Sequence, residues 1–415
     1  MTSGKSHPRP HLHLAVALAD AGAHPAAWRE PGARPDELFT ARYWADQVAE
    51  AERGLLDLVT FEDGLGMQSS LPDRPDERTD RVRGRLDAGL LAARVAPLTR
   101  RIGLLPTAVA THTEPFHLSK AVATLDYISA GRAGLQVTVS PRPDVADHFG
   151  RRSLTDPAPG ETLPDLLDEA ADYVEAVRRL WDSWEDDAEI RDAATGRFVD
   201  REKLHYIDFE GRHFSVRGPS ITPRPPQGQP LVAIPAHGAE GWTLAGRAAD
   251  LAFVAPHSDA EAATAVAGVR SAQQQAGRGD EPLHVLADLT VYLDDSHAAA
   301  VERLSRLDEA AGGLGADIDG YGFGYGAPGS GRGTAEVFAG TPADLADLLL
   351  AWQHAGLSGF RLHPGVLAHD LPAIVDGLVP ELQRRGVYRR GYDEGSLRAR
   401  FGLARPVNRY ALSGS

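Results

Sequence analysis

The sequence predicts an α/β fold, a (β/α)8 TIM barrel with insertions, on three observations. Apolar, β-branched runs alternate with amphipathic helical stretches eight times along the 415 residues. One run, Ile102 to Ser140, reads as strand, loop, helix and strand, a single parallel βαβ unit. Polar residues gather where the predicted strands end, which is where barrels and open parallel sheets hold their ligands.

The elements follow in order. His11 to Leu18 is the first strand, and Ala19 to Asp36 a loop rich in glycine, imidazole and indole (Gly22, His24, Pro25, Trp28). Thr40 to Arg53 is a helix burying Trp44, Val48 and Ala51, and Gly54 ends it. Leu55 to Phe61 is the second strand, terminating in Glu62-Asp63-Gly64, and Leu86 to Thr99 the next helix. Ile102 to Leu105 is a strand ending at Pro106 and Thr107, followed by the loop Ala110 to Glu114. Pro115 then opens a helix that buries Leu118, Val122 and Leu125. Leu135 to Val139 is the fourth strand. Regularity lapses after Ser140 until the long helix Leu163 to Trp184. Glu185 to Gln229 reads as an insertion with a hairpin at Tyr206 to Val216. Leu231 to Ile234, Leu251 to Val254, Leu283 to Leu293 and Gly359 to His363 are the remaining strands. Helices follow at about Glu240, after the cap Asp259, near Ser296, after the cap Thr341 with Pro342 first, and at Leu371 to Arg385.

Gly312 to Gly333 holds ten glycines in 22 residues, too flexible to pack as an element. It reads as a surface loop or as a lid over the barrel mouth. The whole chain, 1–415, is thus expected to be one barrel domain with insertions at about 185–229 and 312–333 and a C-terminal tail, 387–415.

Composition narrows the function. The net charge of −15 argues against nucleic-acid and anionic-membrane partners. Cysteine is absent, which excludes disulfides, thiolate ligands and cysteine nucleophiles. Only Lys5, Lys120 and Lys203 could form a Schiff base, and none stands at a predicted strand end. No apolar run approaches the length of a membrane span, and Met1 to Pro10 lacks the core of a signal peptide, so a cytoplasmic protein is expected.

Thr107, Thr111, His112 and Ser140 open the candidate site. Gln136 and Ser140 differ by an even number and share a strand face; an inward amide at mid-strand needs partners. Strand alternation turns Glu62 and Asp63 opposite ways, a poor pair for glycoside hydrolysis. Asp63 reads either as a ligand group or as a cap on its own loop. His237 and His257 follow the fifth and sixth strands, while His11 and His13 begin theirs, at the wrong face for a shared metal. No metal is expected. His24 and His112 are candidate catalytic groups in loops over the barrel mouth.

With these motifs placed, the chain resembles the bacterial luciferase-like flavin monooxygenases, in the branch of nitrilotriacetate, pristinamycin IIA and dibenzothiophene-sulfone monooxygenases. The stretches that bear the likeness are HPAAWR (24–29), AERGLLDLVTFED (51–63), EPFHLSKAVATLDYISAGRAG (114–134), LWDSW (180–184), HFSVRGP (213–219), VPELQRRG (379–386) and RPVNRY (405–410). The resemblance implies a TIM barrel, reduced FMN supplied by a separate flavin reductase, O₂ activation at the flavin C4a, and a small organic substrate. It also implies a homo-oligomer, dimer or tetramer. By the same match Asp63, Thr107 and Ser140 would meet the flavin. The family asparagine is Gln136 here, and the serines that seat the phosphate are replaced by Ile234-Pro235-Ala236-His237-Gly238. A phosphate there would rely on backbone N–H groups near Gly238, with His237 as donor. Two alternatives stay open: hydride transfer with the deazaflavin F420 or a flavin, and a degenerate barrel that binds a ligand without catalysis.

Overall fold

Eight parallel strands close on themselves: β1 (His13–Leu18), β2 (Leu58–Phe61), β3 (Gly103–Val109), β4 (Gly134–Thr138), β5 (Leu231–Pro235), β6 (Leu251–Val254), β7 (His284–Leu293) and β8 (Gly359–Pro364). Each pairs with its sequence neighbour among these eight, and β8 pairs back onto β1, with His13 opposite Gly359. The TIM barrel read from the sequence is therefore the fold. This computed structural model describes residues 12–69, 71, 74–154, 162–312 and 335–411.

Helices coat the barrel: α1 (Ala41–Arg53), α2 (Ala88–Val95), α3 (Pro115–Ile128), α4 (Pro143–Phe149), α5 (Leu163–Asp182), α6 (Gly238–Ala248), α7 (Asp259–Gln275), α8 (His297–Ala310) and α9 (Pro342–Gln353). Local chemistry sets their starts. Thr40, Asp87, Ser258, Ser296 and Thr341 each accept a backbone N–H of the first turn, satisfying a donor the helix cannot. The cap of α7 is thus Ser258, one residue before the predicted Asp259.

Several elements differ from expectation. The third strand does not stop at Pro106 but runs to Val109, because β4 supplies a ladder beyond it, Thr107 to Val109 against Gln136 to Thr138. Helix α4 occupies part of the stretch read as irregular, begun by Pro143 and ended by Gly150 at φ +63°. A strand at Glu336–Gly340 lies parallel to the far half of β7, outside the closed barrel. The last helical stretch starts at Leu367, earlier than Leu371, and widens to a π-helical turn at Ile374–Leu378, just past Pro372. The insertion 185–229 holds two short hairpins, Glu189–Asp192 with Arg197–Val199 and Phe209–Glu210 with Ser215–Val216. Of the glycine-rich stretch, residues 313–333 lie outside the described residues.

The tail is more than a tail. Its short helix Leu397–Arg400 sets Leu397, Phe401 and Leu403 against Ala15, Leu58, Leu105, Leu231, Leu251, Phe253 and Leu286, the inward residues of the strand starts. Burial of this apolar layer closes the N-terminal end of the barrel. His13 stacks on Phe401 with ring centroids 4.3 Å apart, and His284 Nε2 meets the Phe401 carbonyl at 2.7 Å. The polar layer around Arg361 and Asp288 lies above this floor, towards the C-terminal strand ends.

Candidate functional site in the barrel mouth

Alternation along the strands stacks one polar layer on the apolar floor. Two residues past Leu58, Leu105 and Leu286 stand Thr60, Thr107 and Asp288, followed by Glu62 on the second strand's exit. Gln136 and Arg361 complete the level. Arg361 is the centre. Its Nε and Nη2 meet Asp288 Oδ1 and Oδ2 at 2.6 and 2.8 Å, and Nη1 donates to Gln136 Oε1. The guanidinium also lies over the Phe253 ring, 3.9 Å from its centroid, and 3.5 Å from Glu62 Oε1. Gln136 Nε2 donates to Thr107 Oγ1 at 2.9 Å and Glu62 Oε2 at 3.2 Å, and Thr60 donates to Glu62 Oε1 at 3.0 Å. The buried charges and the amide therefore satisfy one another. The Arg361 guanidinium holds the Asp288 carboxyl well below the usual range despite its burial, which acts the other way.

Two histidines sit above the pair. His363 Nε2 lies 3.3 Å from Asp288 Oδ1, and His237 Nε2 lies 3.7 Å from Oδ2. The His237 side chain is 4% exposed, and neither ring nitrogen has a hydrogen-bond partner. At 3.7 Å the contact with Asp288 is electrostatic rather than a hydrogen bond. His237 is also the N-cap residue of α6 yet caps no N–H, because its ring reaches towards the lumen. Gly238, at φ +70°, turns the chain into that helix.

The structure divides the sequence-predicted residues into three groups. Thr107 and Gln136 meet in the polar layer, where Gln136 has both ends of its amide engaged by protein. Ser140 stands apart from them: its N–H donates to Thr111 Oγ1 at 3.0 Å and its hydroxyl accepts the Arg142 N–H at 3.4 Å. Asp63 caps its own turn and the next helix, accepting from Gly64 N at 2.8 Å and Ala88 N at 3.2 Å. Glu62, which the sequence reading passed over, is the acid that faces inward. Its parity with Thr60 was the available signal.

His24 and His112 both end buried at the mouth. His24 Nδ1 accepts the Ala26 N–H at 3.0 Å and Nε2 meets Asp308 Oδ1 at 3.2 Å, a pattern that assigns the proton to Nε2. Burial lowers its pKa, more than Asp308 raises it. His112 stacks face to face on Phe149 at 5.0 Å, with Nε2 buried and unpartnered. Burial, helped by the nearby Arg152, lowers its pKa to about 4, so the ring is neutral at pH 7. The loop bearing His24 is fixed by a close approach: a side chain at Gly22 would strike the backbone of Gly365.

A cavity of about 560 Å³ opens at the other end of the molecule, between α5, α6 and residues 398–409. Its charged groups pair with neighbours: Arg178 and Arg398 on Asp250, Arg409 on Glu175 and Asp182, and Arg278 on Glu281. It lies before the starts of β5 and β6, remote from the strand ends, and is not assigned as the reaction site. Among the described residues no group of three or more His, Cys, Asp or Glu side chains is placed to hold a metal. No helix among them is long and apolar enough to cross a membrane.

Comparison with known proteins agrees with this geometry. The N-acetyl-S-(2-succino)cysteine monooxygenase of Bacillus subtilis (strain 168) is 32% identical over 458 residues, covering 99% of this chain and all of the relative. Nitrilotriacetate monooxygenase component A of Aminobacter aminovorans is 31% identical, over 96% of this chain and 98% of its own. The crystal structure of long-chain alkane monooxygenase superposes with a TM-score of 0.81 at 25% identity, covering 94% of this chain and 95% of that one. The family model of luciferase-like monooxygenases matches residues 21–359. On this evidence the chain belongs to the luciferase-like monooxygenase family.

Proposed function

We propose that the protein is the oxygenase of a two-component system: it takes reduced FMN from a separate flavin reductase, and O₂, and oxygenates a small organic molecule. The observation that carries this reading is the similarity to the Bacillus monooxygenase, which spans 99% of this chain and 100% of that relative. The relative named component A supports a second component.

The residues at the mouth fit a flavin phosphate. The first-turn N–H groups of α6 have no partner within the helix, and its N-cap residue supplies none. His237 adds two buried ring nitrogens without partners. When bound, reduced flavin supplies the electrons that activate O₂ at its C4a carbon. The chain does the rest. The Arg361–Asp288 pair, tied to Gln136, Thr107 and Glu62, makes a rigid polar platform under the mouth. The apolar floor and the plug from Leu397 and Phe401 keep water from entering below. His24, with its proton on Nε2 and fixed by Asp308, and His112, neutral with a bare Nε2, are the groups that can hold or pass a proton beside the substrate.

By name, two of the relatives act on polycarboxylates: nitrilotriacetate, and a cysteine thioether of succinate. The second is the natural first substrate to try. The test is turnover under ¹⁸O₂ with FMN, NADH and a flavin reductase, read by mass spectrometry. One ¹⁸O per oxidised product is expected; product formed without label, or under argon, overturns the oxygenase reading.

A further inference from the structure

We infer that Arg81 is the carboxylate-binding residue of the substrate pocket, so that the substrate is a small organic acid whose anionic group seats beside His24. The inference rests on the oxygenase reading only for what becomes of that acid, not for its binding.

Arg81 is 7% exposed, and none of its three guanidinium nitrogens has a hydrogen-bond partner. A buried cation in this state is costly, and proteins ordinarily satisfy it with an acid or with backbone carbonyls. Among the described residues, the acids beside His24 and on the adjoining segment are engaged elsewhere. Asp308 is on His24, Glu30 meets Arg306 at 3.1 Å, and Asp80 meets Arg78 at 2.6 Å. Arg81 follows Asp80, whose carbonyl accepts from Trp28 and Arg29 on the loop that bears His24, and this places it over the β1 side of the mouth.

The segment that delivers it is clamped. Trp28 Nε1 and Arg29 Nη2 donate to the Asp80 carbonyl at 3.2 and 3.1 Å, one residue before Arg81. Beyond it, Gln68 accepts the Gly84 N–H at 3.0 Å and donates to the Asp20 carboxylate at 3.1 Å. The segment is held on both sides while the charge between is left bare. That is the arrangement of a preorganised site for an incoming anion. A second orphan adjoins His24. Tyr292 meets the His24 ring edge-on at 6.2 Å and buries a hydroxyl without a partner.

Two anions could be meant, a substrate carboxylate or the flavin phosphate. The barrel separates them. The phosphate-competent helix start follows β5, and β5 stands four strands from β1, diametrically across the closed sheet. Arg81 therefore faces the substrate, while the phosphate belongs opposite.

The experiment compares the parent, Arg81→Gln and Arg81→Lys, with and without saturating reduced FMN under anaerobic conditions. N-acetyl-S-(2-succino)cysteine, its trimethyl ester and reduced FMN are titrated by calorimetry. The parent should bind the tricarboxylate and not the ester. Arg81→Gln should lose about ten- to a hundredfold in tricarboxylate affinity, the range for hydrogen bonds to a charged group, with Arg81→Lys in between. Reduced FMN affinity should stay within twofold, and the ligand-free Arg81→Gln protein should melt no lower than the parent, having no partner to lose. Equal tricarboxylate affinity in parent and variant, or a parent that prefers the ester, overturns the inference. So does loss of flavin affinity in Arg81→Gln, which would make Arg81 a phosphate ligand. A parent that binds the acid but no reduced flavin sustains Arg81 and overturns the monooxygenase reading instead.

Discussion

Replacing Arg361 by Leu, or Asp288 by Leu, removes one half of a pair whose two hydrogen bonds, at 2.6 and 2.8 Å, are buried from water on both sides. Loss of one partner leaves the other an uncompensated charge, which costs roughly 3–5 kcal/mol. Arg361→Leu also strands Gln136 Oε1 and lifts the cation from Phe253, so it belongs at the upper end. The double variant Asp288→Leu/Arg361→Leu removes both charges and refills the volume with apolar atoms. It should be no worse than the milder single variant. Urea unfolding of all four proteins gives the coupling directly, provided the slopes agree. A coupling of at least about 2 kcal/mol is expected on these grounds. Single variants costing under about 1 kcal/mol, or costs that simply add, would refute the platform and with it the rigidity ascribed to Gln136, Thr107 and Glu62.

The Asp126 carboxyl, buried against Gln227 and Ala133, has its pKa raised to about 6 by desolvation. Its contribution is therefore full below the unfolded value near 4 and is lost as pH rises to about 6, on the order of 2–3 kcal/mol. Asp126→Asn should remove that slope from a pH series of melting temperatures. His112, with its pKa lowered to about 4, acts oppositely: its contribution is full above about 6.5 and is lost as pH falls through 4. An imidazole NMR titration that places His112 near 6.5 would contradict its buried stack on Phe149. Phe401→Ala should cost about 3–5 kcal/mol, because it opens the barrel floor at its centre. A loss below about 1 kcal/mol in urea unfolding would show that the tail does not plug the barrel.

The barrel was legible because each strand is an apolar run bounded by Gly, Pro or polar residues, and most helices open on a capping side chain or a proline and carry a buried stripe. The meeting of polar residues from β3 and β4 was legible in the same way, since Thr107 and Gln136 stand near adjacent strand ends. What stayed hidden depends on distance along the chain. Asp288 and Arg361 are 73 residues apart, and nothing in their spacing announces that their strands are neighbours in register. Leu397 and Phe401 have helical spacing, but a four-residue helix has no surface of its own to bury, and only the open end of a barrel gives it a partner. Glu62 against Asp63 was a choice between adjacent acids that the family match decided one way and strand parity the other. Arg81 carried no signal at all: an arginine in a charged stretch reads as solvated until its burial is seen.

The central claim is that this barrel works on reduced flavin. Anaerobic titration of the purified protein with FMNH₂, oxidised FMN and reduced F420, followed by absorbance and fluorescence, tests it most directly. The account predicts saturable binding of FMNH₂, tighter than oxidised FMN, and weak or no binding of reduced F420. Saturation by F420 alone, or by none of the three, would contradict it.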